Sequence, residues 1–299
     1  MDLSVIILNY QTKELTLNAL ASVYKAKAPE NGFEVILIDN ASGDQIVAKA
    51  KVKFPKLKTI ETQSNLGFAA GNNLGLRKAK GDFFLILNSD TLIQKNTLVK
   101  MIKFMKTHPK VGLATCRVEL IDGSLDPACH RGFPTPWASL TYFIKLSKLF
   151  PQSKIFNQYH QGWKDITKTH QIDSPSGAFF MLRKKTIQQV GLFDESFFMY
   201  GEDLDLAYRV KKAGWQIVFT PITKITHLKG ASGLNKKLAD KKNPIIKKKL
   251  LTVTKNFYDS MKIFYQKHYQ KKYFFLTRWL IILGIKVIKN LKLIRIKLL

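Results

Sequence analysis

Acidic residues are scarce in this chain. Its 299 residues include 21 Asp and Glu against 49 Lys and Arg, a formal charge of +28. Cysteine is scarcer still, with only Cys116 and Cys129. Two such residues exclude a disulfide framework and give no zinc-type spacing, so a reducing, cytoplasmic setting is the default expectation. Long apolar runs are missing too. The most apolar stretch, YFFLTRWLIILGI, is 13 residues long and interrupted by Arg278, whereas a spanning helix needs about 20. The opening residues MDLSVIILNY show neither a basic n-region nor a small-residue cleavage site, so no signal peptide is expected. There is no internal repeat and no low-complexity linker.

What is present is alternation. SVIILNY, FEVILIDN, KTIETQ, GDFFLILNSD and VGLATC (residues 111–116) read as short buried strands. KELTLNALASVYKA and NTLVKMIKFMKTH between them carry apolar residues at helical spacing. Strands alternating with helices of this length predict βαβ units and a parallel sheet covered on both faces. Between residues 117 and 173 the pattern dissolves into an aromatic-rich insertion containing RGFPTPW and a helix near 137–150. It returns at GAFFMLRKKTIQQV and runs through WQIVFTP and ITKITHLKG.

In open parallel sheets ligands bind beyond the carboxyl ends of the strands. The predicted strands end there in Asn9-Tyr10, in Asp39-Asn40 and in Asn88-Ser89-Asp90. Asp39 suits a ribose hydroxyl or a base N–H, and Asn40 equally suits a turn. Asp90, at the end of an apolar strand, suits a divalent cation held together with substrate phosphates, or else the cap of the next helix. NLGFAAGNNLG (residues 65–75) has three glycines and three asparagines in eleven positions, a composition that lets backbone N–H groups approach an anion. A loop running into a helix has the same look. His227 becomes a candidate ligand only if the fold returns it to Asp90. FMYGEDLDLAYRVKKAGW concentrates Glu202, Asp203 and Asp205 on one turn, which fits helix capping or a general base.

These pieces occur together and in one order. VIILNYQT, ILIDNASGD, NLGFAAGNNLGLRKAKGDFFLILNSDT, the run from SGAFFMLRK to KKAGW, and HLKGAS resemble the family 2 glycosyltransferases, in particular the bacterial rhamnosyltransferase-like branch. The likeness covers residues 3–232. It implies a GT-A fold, a nucleotide-diphosphate sugar donor (best matched by dTDP-rhamnose, with a UDP-hexose or UDP-galactofuranose as alternatives), Mg²⁺ or Mn²⁺, and inversion at the anomeric carbon. It further implies that Asn9, Tyr10 and Asp39 hold the nucleoside and that Gly67, Asn72 and Asn73 lie in a loop near the nucleotide. Asn88 and Asp90 match the metal and diphosphate motif, and His227 matches a second metal ligand. Asp203 matches the catalytic base, with Glu202 beside it touching acceptor or metal. Asn88 departs from the usual D-x-D, and Gln11 replaces an Asn common in the first motif. Asp205 is expected to be structural, and Arg209 to be exposed.

Residues 1–235 are thus expected to form the catalytic domain, its nucleotide-sugar half spanning about 1–116 and its acceptor half about 117–235. Residues 236–299 carry 18 basic and two acidic residues and are expected to form a basic amphipathic helical tail. That composition calls for a polyanion. An anionic membrane surface on the cytoplasmic side suits it best, with a glycan or lipid-linked acceptor nearby. A nucleic-acid-binding protein is the rival reading from another class, but no recognised RNA- or DNA-binding motif accompanies the charge, so no nucleic acid is expected. A nucleotidyltransferase lacks its activating N-terminal loop, and an inactive transferase fold rests on Asn88 alone.

Overall fold

A computed structural model describes residues 1–228 and 244–298. The domain boundary at 235 and the end of the HLKGAS motif lie outside the described residues, whereas the basic run PIIKKKLL (residues 244–251) is helical. The first half alternates as expected: β1 (Leu3–Asn9), α1 (Lys13–Lys25), β2 (Phe33–Asp39), α2 (Ile46–Lys53), β3 (Lys58–Glu61), α3 (Gly67–Lys78) and β4 (Phe83–Asn88). A short β5 (Thr91–Ile93), α4 (Thr97–Thr107) and β6 (Val111–Glu119) follow. The insertion contributes a 3-10 turn (Pro127–Cys129), α5 (Pro136–Phe143), α6 (Leu146–Leu149) and β7 (His170–Gln171). Then come β8 (Phe179–Arg183), α7 (Lys184–Val190), α8 (Glu202–Lys212) and β9 (Gln216–His227), and finally α9 (Pro244–His268) and α10 (Phe275–Leu298).

The strands form one nine-stranded sheet in the order β3-β2-β1-β4-β8-β6-β9-β5, with β7 also paired to β9. β1, β2, β3 and β4 pair in parallel, because helices carry the chain back between them. The sheet is mixed rather than all parallel: β8 runs antiparallel to both β4 and β6, and β5 and β7 run antiparallel to β9. Central strands are buried on both faces, which is why they read as unbroken apolar runs. α4 packs the spacing Leu98, Met101, Ile102 and Met105 onto the sheet, one apolar stripe of a helix.

Register sets the rim. Asn9 lies opposite Asp39, and Leu8 opposite Asn88, so β1, β2 and β4 end level. Three local expectations change. Asp90 caps no helix, because β5 begins at Thr91 and pairs with β9, Thr91 facing His227. Residues 67–75 are helical, so the glycine- and asparagine-rich stretch forms α3 rather than a loop. The helix expected near 137–150 is broken at Lys145, whose φ of 67° is left-handed.

Candidate active site

Asn9 is fully buried at the end of β1. Its side-chain amide donates to Asp39 Oδ1 (3.1 Å) and Ser42 Oγ (2.7 Å), and its Oδ1 accepts from the hydroxyls of Thr12 (3.0 Å) and Thr16 (2.7 Å). With both ends engaged, Asn9 splints β1 to β2 and orients the Asp39 carboxylate. Asp39 also lines an open cleft with Gly43, Gln45, Lys51 and Glu61. Tyr10 stands on the rim, 39% exposed. Gln11 has φ 56°, a left-handed position that Asn adopts more readily than Gln, which gives a backbone reason for the Asn common at that place.

The α3 asparagines are engaged within the protein, except that the buried Oδ1 of Asn72 has no hydrogen-bond partner. Asn72 is buried and donates to the Phe68 carbonyl within its own helix. Asn73 is buried, donates to the Phe193 carbonyl (2.9 Å) and Glu195 Oε1 (2.8 Å), and accepts from the Phe193 N–H (3.1 Å). Gly67 has φ 83°, and a Cβ there would sit 2.3 Å from the Phe198 carbonyl oxygen. Gly67 and Asn73 therefore dock α3 against residues 193–198, the approach to the acidic turn.

At the end of β4, Asn88 is half-buried, and a Cβ on Gly177 would lie 3.5 Å from its Oδ1. The β5–β9 pairing brings Asp90 and His227 together, with His227 Nε2 3.2 Å from Asp90 Oδ1. The other imidazole nitrogen lies 2.8 Å from Asp126 Oδ2, and Asp126 is fully buried at the cap of the 3-10 turn. Burial opposes a charge on this imidazole, but the hydrogen bonds to Asp126 and Asp90 outweigh it and push its pKa up to about 9. A carboxylate that pins one nitrogen while the other faces a second carboxylate is the outer-shell arrangement of metal-binding histidines. The donor set, one oxygen and one imidazole nitrogen, fits a divalent cation that takes its remaining ligands from phosphate oxygens. Among the described residues no group of three or more His, Cys, Asp or Glu is placed to hold a metal unaided.

Five residues beyond Asp126, the cap of that 3-10 turn, the insertion delivers Arg131. Its Nη2 donates to Asp203 Oδ2 (2.7 Å) and to the Pro175 carbonyl (2.8 Å), and the pair is nearly buried. Asp203 Oδ1 accepts from the Leu204 N–H (2.7 Å). Glu202, 6% exposed, has one carboxylate oxygen without a partner. Burial, aided by the neighbouring Asp203 charge, pushes its pKa up to about 8. Asp205 is fully buried and paired with Arg209 (2.9 Å), Lys267 (2.8 Å) and His268 (2.7 Å), as a structural carboxylate should be. Arg209 is not exposed: it also donates to the carbonyls of Val190 and Leu192. The sequence alone does not mark Asp126 or Arg131 as site residues. Asp126 had only the Asp-Pro signature of a cap, and Arg131 stood in the insertion with no periodicity to place it.

The mixed sheet flanked by helices is the architecture of a GT-A-type glycosyltransferase. The family model for glycosyl transferase family 2 matches residues 4–191, and the chain belongs to that family. It is 26% identical over 216 residues to the N-acetylglucosaminyl-diphospho-decaprenol L-rhamnosyltransferase of Mycobacterium tuberculosis, 69% of each chain. It is 24% identical to the low-salt glycan biosynthesis hexosyltransferase Agl10 of Haloferax volcanii, over 71% of this chain and 62% of that one. Among solved structures, the Pyrobaculum calidifontis mannosyltransferase PcManGT in complex with GDP-Man and Mn²⁺ aligns with a TM-score of 0.57 at 16% identity, covering 87% of this chain and 64% of that one. S. aureus TarS 1-349 in complex with UDP-GlcNAc aligns at 0.53 and 18% identity, covering 86% and 66%. These likenesses establish the fold.

Proposed function

We propose that the chain transfers a sugar, with inversion, from a nucleotide-diphosphate sugar to a glycan or lipid-linked acceptor in the synthesis of a cell-surface glycan. The rhamnosyltransferase relative makes dTDP-rhamnose the first donor to test. The observation that carries this reading is one run of contacts: Asp90 to His227, His227 to Asp126, and from the turn Asp126 caps to Arg131 and Asp203. It ties a two-donor cation site to a buried carboxylate through the insertion.

In this mechanism Asp39 and Tyr10 receive the nucleoside at the rim, and Asn9 holds Asp39 in place. Asp90 and His227 would hold Mg²⁺ or Mn²⁺, which when bound would stabilise the charge developing on the diphosphate. The acceptor oxygen forms a bond to the anomeric carbon as the bond to the diphosphate oxygen breaks. The nucleoside diphosphate leaves with that electron pair, and the acceptor proton passes to Asp203. Both Asp203 oxygens already accept one hydrogen bond, and each keeps a second lone pair for that proton. Glu202, held protonated near neutral pH, offers an O–H to an acceptor oxygen. Outside the site, α10 is proposed to lie on the anionic inner face of the membrane.

Incubating the protein with a panel of nucleotide sugars and Mn²⁺, and following nucleoside diphosphate release, tests the reading. Asp203→Asn is expected to keep donor binding and to lose on the order of 10²–10⁴ in turnover. Release of pyrophosphate instead, or turnover of the variant within about threefold of wild type, would refute the assignment.

A further inference from the structure

We propose that α9, from the C-terminal extension, is half of a clamp that fixes the Glu202–Asp203 turn, with Ser260, Lys267 and His268 as positioning residues. The inference rests on the reading of Asp203 as the base. Residues 193–201 form an irregular segment that leads into the first turn of α8 and contains two successive left-handed residues, Tyr200 (φ 72°) and Gly201 (φ 85°), directly before Glu202. A tyrosine at positive φ is strained and persists only where its surroundings hold it.

From one side, α3 holds the segment through Asn73 and Gly67, and the Phe68 N–H donates to the Phe198 carbonyl at 2.7 Å. From the other side, α9 holds it at four points. Ser260, buried, donates its hydroxyl to the Met199 carbonyl at 3.0 Å, one residue before the strained tyrosine. The Phe257 ring meets Tyr200 edge-on at 5.9 Å. Lys267 bridges Asp194 and Asp205. His268 pairs with Asp205 at 2.7 Å, its ring tilted against Tyr208 (4.2 Å) and Phe264 (4.8 Å). Between these contacts Phe197, Leu204, Phe264, Tyr265 and Tyr269 share a small core separate from that of the sheet. Burial alone would raise the Asp205 pKa, but His268, Lys267 and Arg209 hold it below the usual carboxylate range, so the hub is charged near neutral pH. The extension is thus built into the acceptor side of the site, and the carboxylates sit where helices from both ends of the chain meet.

The test uses the full-length chain carrying Lys267→Ala with His268→Ala, and separately Ser260→Ala, which removes one oxygen. Hydrogen exchange on the protein alone should be faster at residues 197–205 and unchanged in β1 and β4. Turnover of dTDP-rhamnose should fall on the order of tenfold or more, because small displacements of a catalytic group are costly. The donor KM should stay within about twofold, and His268→Gln, which keeps a donor to Asp205, should recover most of the rate. Unchanged exchange in both variants would overturn the proposal. So would wild-type turnover in both while Asp203→Asn is inactive. If Asp203→Asn itself turns over normally, the base assignment fails, and the exchange result alone decides for or against the clamp.

Discussion

Glu202 and Asp126 are buried carboxylates with opposite uses. Glu202 keeps one oxygen without a partner next to a second carboxylate, and its pKa of about 8 follows from burial first and the Asp203 charge second. The folded chain therefore retains a proton that the unfolded chain releases above about 4.5. Its contribution to stability is full below that pH and drains away as pH rises through about 8. Glu202→Gln removes this slope. Thermal melts should show variant and wild type close together at pH 5, with the variant gaining steadily by pH 8; parallel curves would mean that Glu202 is charged throughout. Asp126, fully buried, pairs with His227. If Asp90 and His227 bind the cation, Asp126→Asn should weaken Mn²⁺ binding about 10–100-fold, the usual cost of losing an orienting partner. Titrating Mn²⁺ by calorimetry in the presence of the nucleoside diphosphate checks this, and an affinity equal to wild type would detach Asp126 from the site.

At the scale of elements, α9 stabilises the molecule through aromatic packing. Phe264 is 3% exposed in the small core that includes Phe197 and Leu204. Phe264→Ala should cost about 3–5 kcal/mol and lower the denaturant midpoint, whereas an unchanged midpoint would show that α9 packs independently of α8. The same helix shows where sequence reading stops. The βαβ half was legible because apolar runs of six or seven residues have few other uses, and the strand-end residues Asn9, Asp39, Asn88 and Asp90 followed from it. The antiparallel partners β5 and β8 are not legible as such, since a short buried strand reads alike in either direction, and β7, two residues with Gln171 exposed, is too short to show a period. α3 read as a loop because Gly71 and Gly75, which let the helix approach Leu8, Ile6 and Ile38, are the residues that also mark turns. Asp126 and Arg131 acquire their partners across 101 and 72 residues, and no local period encodes such pairs. That α9 shares a core with residues 197–208 is likewise a matter of packing, which charge composition does not report.

For the whole molecule, the question is what the excess of positive charge faces. Among the described residues no helix is long and apolar enough to cross a membrane. α10 is nevertheless apolar on two sides. Ile281 and Ile282 pack toward the core shared with α9, while Leu276, Leu280, Leu283, Val287, Leu291, Ile294 and Leu298 are all exposed. Those seven recur every three or four residues, so they form one stripe, and the helix carries Arg278, Lys286, Lys289, Lys292, Arg295 and Lys297 with no acidic residue. An exposed aliphatic stripe on a cationic helix fits the interface of an anionic bilayer, the apolar face entering the acyl boundary and each nearby cation adding about 1 kcal/mol. Because α10 lies along α9, which touches the carboxylate turn, such contact would set the acceptor side of the site close to a lipid-linked substrate. Leu283→Glu with Leu291→Glu places two charges in the stripe without touching the α9 face. Wild type should cosediment with phosphatidylglycerol-containing liposomes, lose part but not all of that binding at high salt, and resist salt better than a purely electrostatic binder. The double variant should lose the salt-resistant part and keep its melting temperature. If wild type stays in the supernatant at low salt, the membrane reading is wrong. If the variant instead melts earlier, the stripe is covered by protein rather than lipid.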